Sequence, residues 1–117
     1  MSNQTISISV IVVGAWLLLN GILHDVFVLR SEHGRVYNRE LLRLLMDGHI
    51  LITCGIVLLF CYKGILQQQP WAYYIAITCC VSMLVYCAMI FPFLKSIVTI
   101  LLNTALLLIL VYGLLKI

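Results

Sequence analysis

Charged residues are scarce in this chain of 117 residues, and their scarcity indicates its structural class. Asp, Glu, Lys and Arg together make up 9% of the sequence, whereas they make up about 25% of a typical soluble domain. Hydrophobic residues reach 64%, and the mean hydropathy is +1.16. A soluble fold could not cover so much apolar surface. The composition therefore predicts a single integral membrane domain that spans residues 1–117.

The sequence also lacks the features of a nucleic-acid-binding protein. Its net charge is +3, and four of its seven Lys and Arg residues fall in one short polar stretch, at Arg30, Arg35, Arg39 and Arg43. No base-stacking aromatic residues alternate with these arginines, and no groove-reading motif is present. We therefore expect a basic cluster that flanks a membrane, with the lipid bilayer and not a nucleic acid as its partner.

No paired Cys-x-x-Cys or His-x-x-His spacing occurs, so the sequence carries no strong metal or disulfide motif. The five cysteines all lie in apolar runs, where reduced and buried thiols are expected: Cys54, Cys61, Cys79, Cys80 and Cys87. We expect no cofactor and no metal. A metal or haem held by His24 and His49 is the weaker alternative, since two histidines with nearby carboxylates would suit zinc or iron.

The only two prolines mark breaks in a chain that otherwise consists of four long apolar runs. These runs cover about 5–29, 44–62, 71–91 and 94–115, and each is close to the ~20 residues that cross a bilayer. Backbone groups in lipid must bond within their own segment, which favours helices over open strands. The sequence therefore predicts an all-α membrane protein, a four-transmembrane-helix bundle with short loops.

Basic residues also predict the orientation of this bundle. The four arginines of the first connection and Lys95 lie at one end, and only Lys63 and Lys116 lie at the other. The positive-inside rule places the Arg-rich end in the cytoplasm, so both termini are predicted to be non-cytoplasmic. In the same connection, Asn38 is the predicted N-cap of the second helix, which begins in the headgroup layer before it enters the apolar region near Leu44.

Four ionisable side chains lie inside the predicted spans: His24, Asp25, Asp47 and His49. Each would cost roughly 2.5–3.5 kcal/mol at the centre of a membrane helix, so each needs a partner or a purpose. A rise of about 1.5 Å per residue, together with the antiparallel course of neighbouring helices, places all four at the same level. We expect that level to lie just inside the Arg-rich end.

Glycine spacing predicts which faces of the first two helices meet. Each helix carries two glycines seven residues apart, Gly14 and Gly21 in the first and Gly48 and Gly55 in the second. Small residues on one seam allow two backbones to approach closely. The four ionisable residues flank this seam, so we predict two His–Asp contacts across it. The sequence does not decide which histidine meets which aspartate.

Three more polar residues, Asn20, Tyr86 and Asn103, fall at a similar depth and extend the predicted site. We expect one pocket that binds a lipid-soluble small molecule or converts it by acid–base chemistry. His24, Asp25, Asp47 and His49 are the catalytic candidates, in which a histidine moves the proton and an aspartate fixes its tautomer. Asn20, Tyr86 and Asn103 are the ligand-binding candidates.

Two other functions fit the same residues. One is proton-coupled transport or conduction by a homodimer, because a single four-helix unit is too thin to enclose a pore. Against it, coupled transporters hold their sites near the bilayer midplane, whereas these residues lie toward one face. The other is a structural or accessory subunit in which the His–Asp pairs join the first two helices.

Overall fold

The computed structural model describes residues 2–117 and consists of helices and short connections. The helices are α1 (Asn3–Arg30), α2 (Arg39–Phe60), α3 (Tyr62–Leu66), α4 (Pro70–Ile90) and α5 (Ile97–Leu115). The short helix α3 continues α2, and the two form one span. Four spans are thus long and apolar enough to cross a membrane. The prediction of an all-α bundle of four transmembrane helices is confirmed.

Local side-chain and backbone bonds define where the second span begins and ends. Asn38 is the N-cap of α2, as predicted, and its Oδ1 accepts a hydrogen bond from the Leu41 N–H at 2.9 Å. This cap starts the helix at Arg39, outside the apolar run. At the other end the chain turns at Gln68, which has a φ of 57°, and the Gln69 N–H donates to the Gly64 carbonyl at 2.8 Å. The helix therefore begins at its predicted cap, and the span continues to Leu66, beyond its predicted end near residue 62.

The last connection is longer than the apolar pattern predicts. Pro70 occupies the first turn of α4, as expected for a residue without an N–H. After α4, the N–H groups of Phe93 and Leu94 both donate to the Ile90 carbonyl, at 2.9 and 2.7 Å. This turn delays the start of α5 to Ile97, whereas the hydrophobic run predicts a helix from residue 94.

The predicted glycine seam between α1 and α2 is confirmed. A Cβ atom placed on Gly21 would lie 2.6 Å from the Gly48 carbonyl oxygen, and one on Gly55 would lie 2.7 Å from the Gly14 carbonyl oxygen. Both distances are too short for a side chain, so the two backbones are in direct contact. Small residues at membrane-helix interfaces permit this approach. Close packing matters there because lipid tails provide no hydrophobic force that drives helices together.

The apolar core lies between the spans, and the outer surface is also apolar. Leu17, Leu58 and Met83 are fully buried. Large side chains such as Phe27 and Phe60 are each 78% exposed, as expected for positions that face hydrocarbon.

Both termini lie at the same end of the bundle. A Cβ on Gly113 in α5 would lie 2.9 Å from Cδ1 of Ile6 in α1, so these two residues are level. From that level α1 continues for about 36 Å to Arg30, whereas α5 continues for about 24 Å to Ile97. The α1–α2 hairpin therefore extends roughly 12 Å further than α5 at the Arg-rich end. Which side of the membrane each end faces stays a prediction.

Candidate functional site

The four ionisable residues of α1 and α2 do not form one buried charged cluster. Within residues 2–117 the single contact of a basic side chain with a carboxylate is between His33 Nδ1 and Glu40 Oε1 at 3.5 Å, at the exposed start of α2. Neither His24 nor His49 bonds to an aspartate within residues 2–117. His49 is exposed, and the other three residues are only partly buried. The predicted His–Asp contacts across the seam are therefore wrong.

The close packing of the seam explains this difference. The backbones of Gly21 and Gly48 are in contact at this level, and the Ile52 side chain packs against Gly21. The Asp25 carboxylate rests against Gly48, and its Oδ1 takes up the space that a Cβ would need there. Consecutive helix residues point about 100° apart, so His24 lies on the other side of the seam from Asp25. The four residues divide between two separate surfaces.

His24 and Asp47 face the interior of the bundle, where they line a cavity of about 140 Å³. We call it the inner cavity. Its lining includes residues from all four spans and from the last connection, and its polar members are Asn20, His24, Asp47, Tyr86, Ser96 and Thr99. The structure thus brings together four of the seven predicted site residues, namely Asn20, His24, Asp47 and Tyr86.

Hydrogen bonds to the backbone orient two of these side chains. His24 Nε2 lies 3.0 Å from the Leu44 carbonyl oxygen, which can only accept, so Nε2 carries the proton of this bond. When the ring is neutral, Nδ1 is therefore left as an acceptor. Asn20 donates through Nδ2 to the Trp16 carbonyl at 2.8 Å, which leaves its Oδ1 as an acceptor.

The remaining polar groups of the inner cavity come from the other spans. Asp47 lies near the Tyr86 hydroxyl, although the two do not form a hydrogen bond of regular geometry. Thr99 Oγ1 accepts a long bond of 3.5 Å from Trp16 Nε1, which links α1 to α5. With Asn20 and His24, these groups give the cavity several hydrogen-bond acceptors, and the hydroxyl groups of Tyr86 and Thr99 can also donate.

A second cavity of about 450 Å³ lies next to the inner cavity, toward the Arg-rich end. We call it the vestibule. It shares Asp47, Ile90 and Leu94 with the inner cavity. Its remaining lining residues are Glu40, Arg43, Leu44, Met89 and Phe93. The vestibule therefore combines a mostly apolar wall with two charged residues of the first turns of α2.

Asp25 and His49 line a different surface, an open groove of about 430 Å³ between α1 and α2. We call it the outer groove. Its lining residues are Asp25, Leu29, Leu42, Leu45, Met46 and His49. Oδ1 of Asp25 is buried and has no hydrogen-bond partner among the described residues. His49 Nε2 lies 3.4 Å from Thr53 Oγ1 on its own helix.

Asn103 lies at neither surface. It is fully buried, and its Nδ2 donates to the Thr99 carbonyl one turn earlier, at 2.9 Å. Its Oδ1 has no partner within residues 2–117. The depth argument placed Asn103 in the predicted pocket, but the structure does not bring it there. Thr99 lines the inner cavity instead, and its position one turn from Asn103 was a signal in the sequence that could have identified it.

The weaker metal alternative is not favoured by these positions. His24 lines the inner cavity and His49 lines the outer groove, so the two rings do not converge on one ion. No three His, Cys, Asp or Glu residues in the described part of the chain are placed to hold a metal. The five cysteines are free thiols.

No protein-family model matches this chain, and no curated protein or solved structure matches it either. The function therefore has to be inferred from the geometry of the inner cavity and the vestibule.

Proposed function

We propose that this membrane protein binds a lipid-soluble small molecule, with the polar group of the molecule in the inner cavity and its apolar part in the vestibule. The observation that carries the proposal is the convergence of polar side chains from all four spans on one small cavity. Polar groups are expensive at membrane depth and are rarely placed there without a purpose.

The sizes of the two spaces suggest how a ligand would be divided between them. The inner cavity, at about 140 Å³, exceeds the ~30 Å³ that one water occupies in the liquid. It is smaller than the ~300–1,000 Å³ of a typical ligand pocket. It therefore suits only a small polar group. The vestibule, at about 450 Å³, offers apolar contacts from Met89, Ile90 and Phe93 to the rest of an amphiphilic molecule.

The chemistry of the inner cavity favours a ligand that donates hydrogen bonds. Asn20 Oδ1, His24 Nδ1 and the Asp47 carboxylate are acceptors not committed to the backbone bonds described above. A ligand hydroxyl or amine would satisfy them, whereas an ether or ketone has no proton to offer. We therefore infer that the ligand is an alcohol or an amine with an apolar body.

Binding is favoured over acid–base conversion by the arrangement of His24. In a catalytic pair the carboxylate would bond to the imidazole and fix its tautomer. Here the Leu44 carbonyl bonds to the His24 ring, and Asp47 does not. The residues are thus arranged to receive a polar group, without the pair that would drive proton transfer.

The charge pattern adds an orientation to the proposal. Arg43 and the arginines before it flank the vestibule end, so the positive-inside rule places the vestibule in the cytoplasmic leaflet and both termini on the other side. A ligand would then enter from the headgroup layer of that leaflet.

Photolabelling in lipid nanodiscs tests this function. The probes are a long-chain alkyl amine, an alkyl alcohol and the matched methyl ether, each with a photoreactive diazirine in its chain. We expect the amine and alcohol, but not the ether, to label Met89 or Phe93 in a saturable way. Asp47→Asn should weaken labelling roughly tenfold, the loss expected for one charge-assisted hydrogen bond.

Ser82→Ala serves as the matched control, because Ser82 is an exposed polar residue of α4 that does not line the inner cavity. Its labelling should equal that of the unmodified chain. Equal labelling by the amine, the alcohol and the ether, or unchanged labelling of Asp47→Asn, would contradict the proposal.

A further inference from the structure

The outer groove lies on the outside of the bundle. All of its lining residues come from α1 and α2, and none comes from α4 or α5. The Asp25 carboxylate rests against Gly48, the residue next to His49, so Asp25 and His49 lie at nearly the same level of the hairpin. A carboxylate and an imidazole thus line one groove that faces the surrounding lipid.

Within residues 2–117 no hydrogen bond satisfies the Asp25 carboxylate. Its Oδ1 is buried against Gly48 without a partner, and the rest of this partly exposed side chain lines the groove. His49 makes one long bond, to Thr53, which is itself exposed. No hydrogen bond or ion pair of residues 2–117 joins Asp25 to His49. Hydrocarbon supplies neither donors nor acceptors, so this arrangement is unfavourable unless protein covers the groove.

The two groups complement each other, since the carboxylate accepts hydrogen bonds and an imidazole N–H donates them. A two-fold axis along the membrane normal keeps every residue at its own depth and produces a self-complementary interface. Because Asp25 and His49 are level, such an axis brings the carboxylate of one copy to the imidazole of the other.

We propose that a second copy of this chain covers the outer groove, with Asp25 of each copy bonded to His49 of the other. The exposed apolar rim of the groove, Leu29, Leu42 and Met46, then packs around two symmetric polar pairs. This interface lies on the opposite side of the seam from the inner cavity, so it does not depend on the proposed ligand.

Cross-linking of the full chain in liposomes at low protein-to-lipid ratio tests the interface. Met46 is 59% exposed and lies in the groove, so we expect Met46→Cys to form a disulfide-linked dimer under mild oxidation. Ser82→Cys, on the exposed face of α4, is the matched control and should stay monomeric. The unmodified chain reports any contribution from the five natural cysteines.

Replacement of the histidine tests the chemistry of the contact. His49→Leu in the Met46→Cys background should reduce cross-linking roughly tenfold or more, since both polar pairs are lost. His49 is exposed, so this variant should still fold, which circular dichroism and thermal unfolding can verify. Full cross-linking of His49→Leu would overturn the proposal. A monomer in purified liposomes, with the thiol of Met46→Cys shielded from thiol reagents only in native membranes, would also overturn it and would assign the groove to a different protein.

Discussion

The two hairpins of the bundle are held together in different ways. In the α1–α2 hairpin, glycines bring backbone against backbone, and Cβ atoms at Gly21 and Gly55 would each meet a carbonyl oxygen. In the α4–α5 hairpin, Gly113 faces side-chain atoms of Tyr73 in α4 and also of Ile6 in α1. Backbone atoms cannot move without disturbing a helix, whereas a side chain can change its rotamer. We therefore expect the first hairpin to tolerate an added methyl group less well than the second.

The two hairpins also differ in where they place their polar side chains. The ionisable side chains of α1 and α2 lie on the two sides of the glycine seam, where the inner cavity and the outer groove are found. The α4–α5 hairpin contributes single polar groups, such as Tyr86 and Thr99, to the inner cavity.

The largest expected effect comes from closing the space at the seam. A Cβ at position 21 would lie 2.6 Å from the Gly48 carbonyl oxygen and 2.8 Å from the Ile52 backbone nitrogen. We expect Gly21→Ala to lower the free energy of unfolding by about 1–3 kcal/mol, a typical cost of overpacking. Unfolding by sodium dodecyl sulfate in mixed micelles, followed by circular dichroism, measures it.

Gly113→Ala is the matched substitution in the second hairpin and tests the comparison directly. Its Cβ would lie 2.8 Å from Tyr73 Cε1 and 2.9 Å from Ile6 Cδ1, which are side-chain atoms. We expect this variant to lose no more than about 1 kcal/mol, because the neighbours can shift. An equal loss in both variants would show that the two hairpins are equally rigid.

A smaller effect, of opposite sign, is expected for Asn103 in the second hairpin. Its amide bonds only within its own helix, and its buried Oδ1 has no partner among the described residues. Asn103→Leu removes this unsatisfied group, so we expect unfolding to become up to about 1 kcal/mol less favourable. The same micelle titration applies. A marked destabilisation would mean that the amide has a partner across the helices.

The smallest effect is expected where a polar bond joins helices that the glycines already hold. His24→Leu removes the bond from Nε2 to the Leu44 carbonyl, and interhelical bonds in membranes average about 0.6 kcal/mol. We expect a loss of stability near that value, measured in the same titration beside His24→Gln. A loss comparable to that of Gly21→Ala would show that the seam depends on this histidine.

Much of the fold was predictable because membrane helices follow simple physical requirements. Apolar runs of sufficient length predict the four spans, and the seven-residue spacing of Gly14 and Gly21 predicts the seam. Asn38 predicts the start of α2 through its cap, which the structure confirms. The ends of the helices were less accurate, since turns such as the one after Ile90 extend into residues that are as apolar as the helix.

The arrangement of the site was harder to predict from the sequence. Helical spacing places His24 and Asp25 on the two sides of the seam, but the sequence does not decide which histidine lies with which aspartate. The sequence hypothesis assumed that the residues beside the seam bond across it. The structure places His24 with Asp47 and Asp25 with His49 on separate surfaces, and neither pair is bonded. Asn103 shows a similar limit, because its amide bonds within its own helix and does not line the inner cavity.

The unequal reach of the helices means that no single membrane thickness matches the whole bundle. The α1–α2 hairpin extends roughly 12 Å beyond the start of α5, so a layer that matches one hairpin does not match the other. Lipid beside α5 must thin, or the whole bundle must tilt, and either adjustment costs fractions of a kcal/mol per Å. In bilayers of short-chain lipids the shorter hairpin is matched and the longer one must tilt, whereas in thick, sterol-rich bilayers the longer hairpin is matched and the lipid beside α5 must thin.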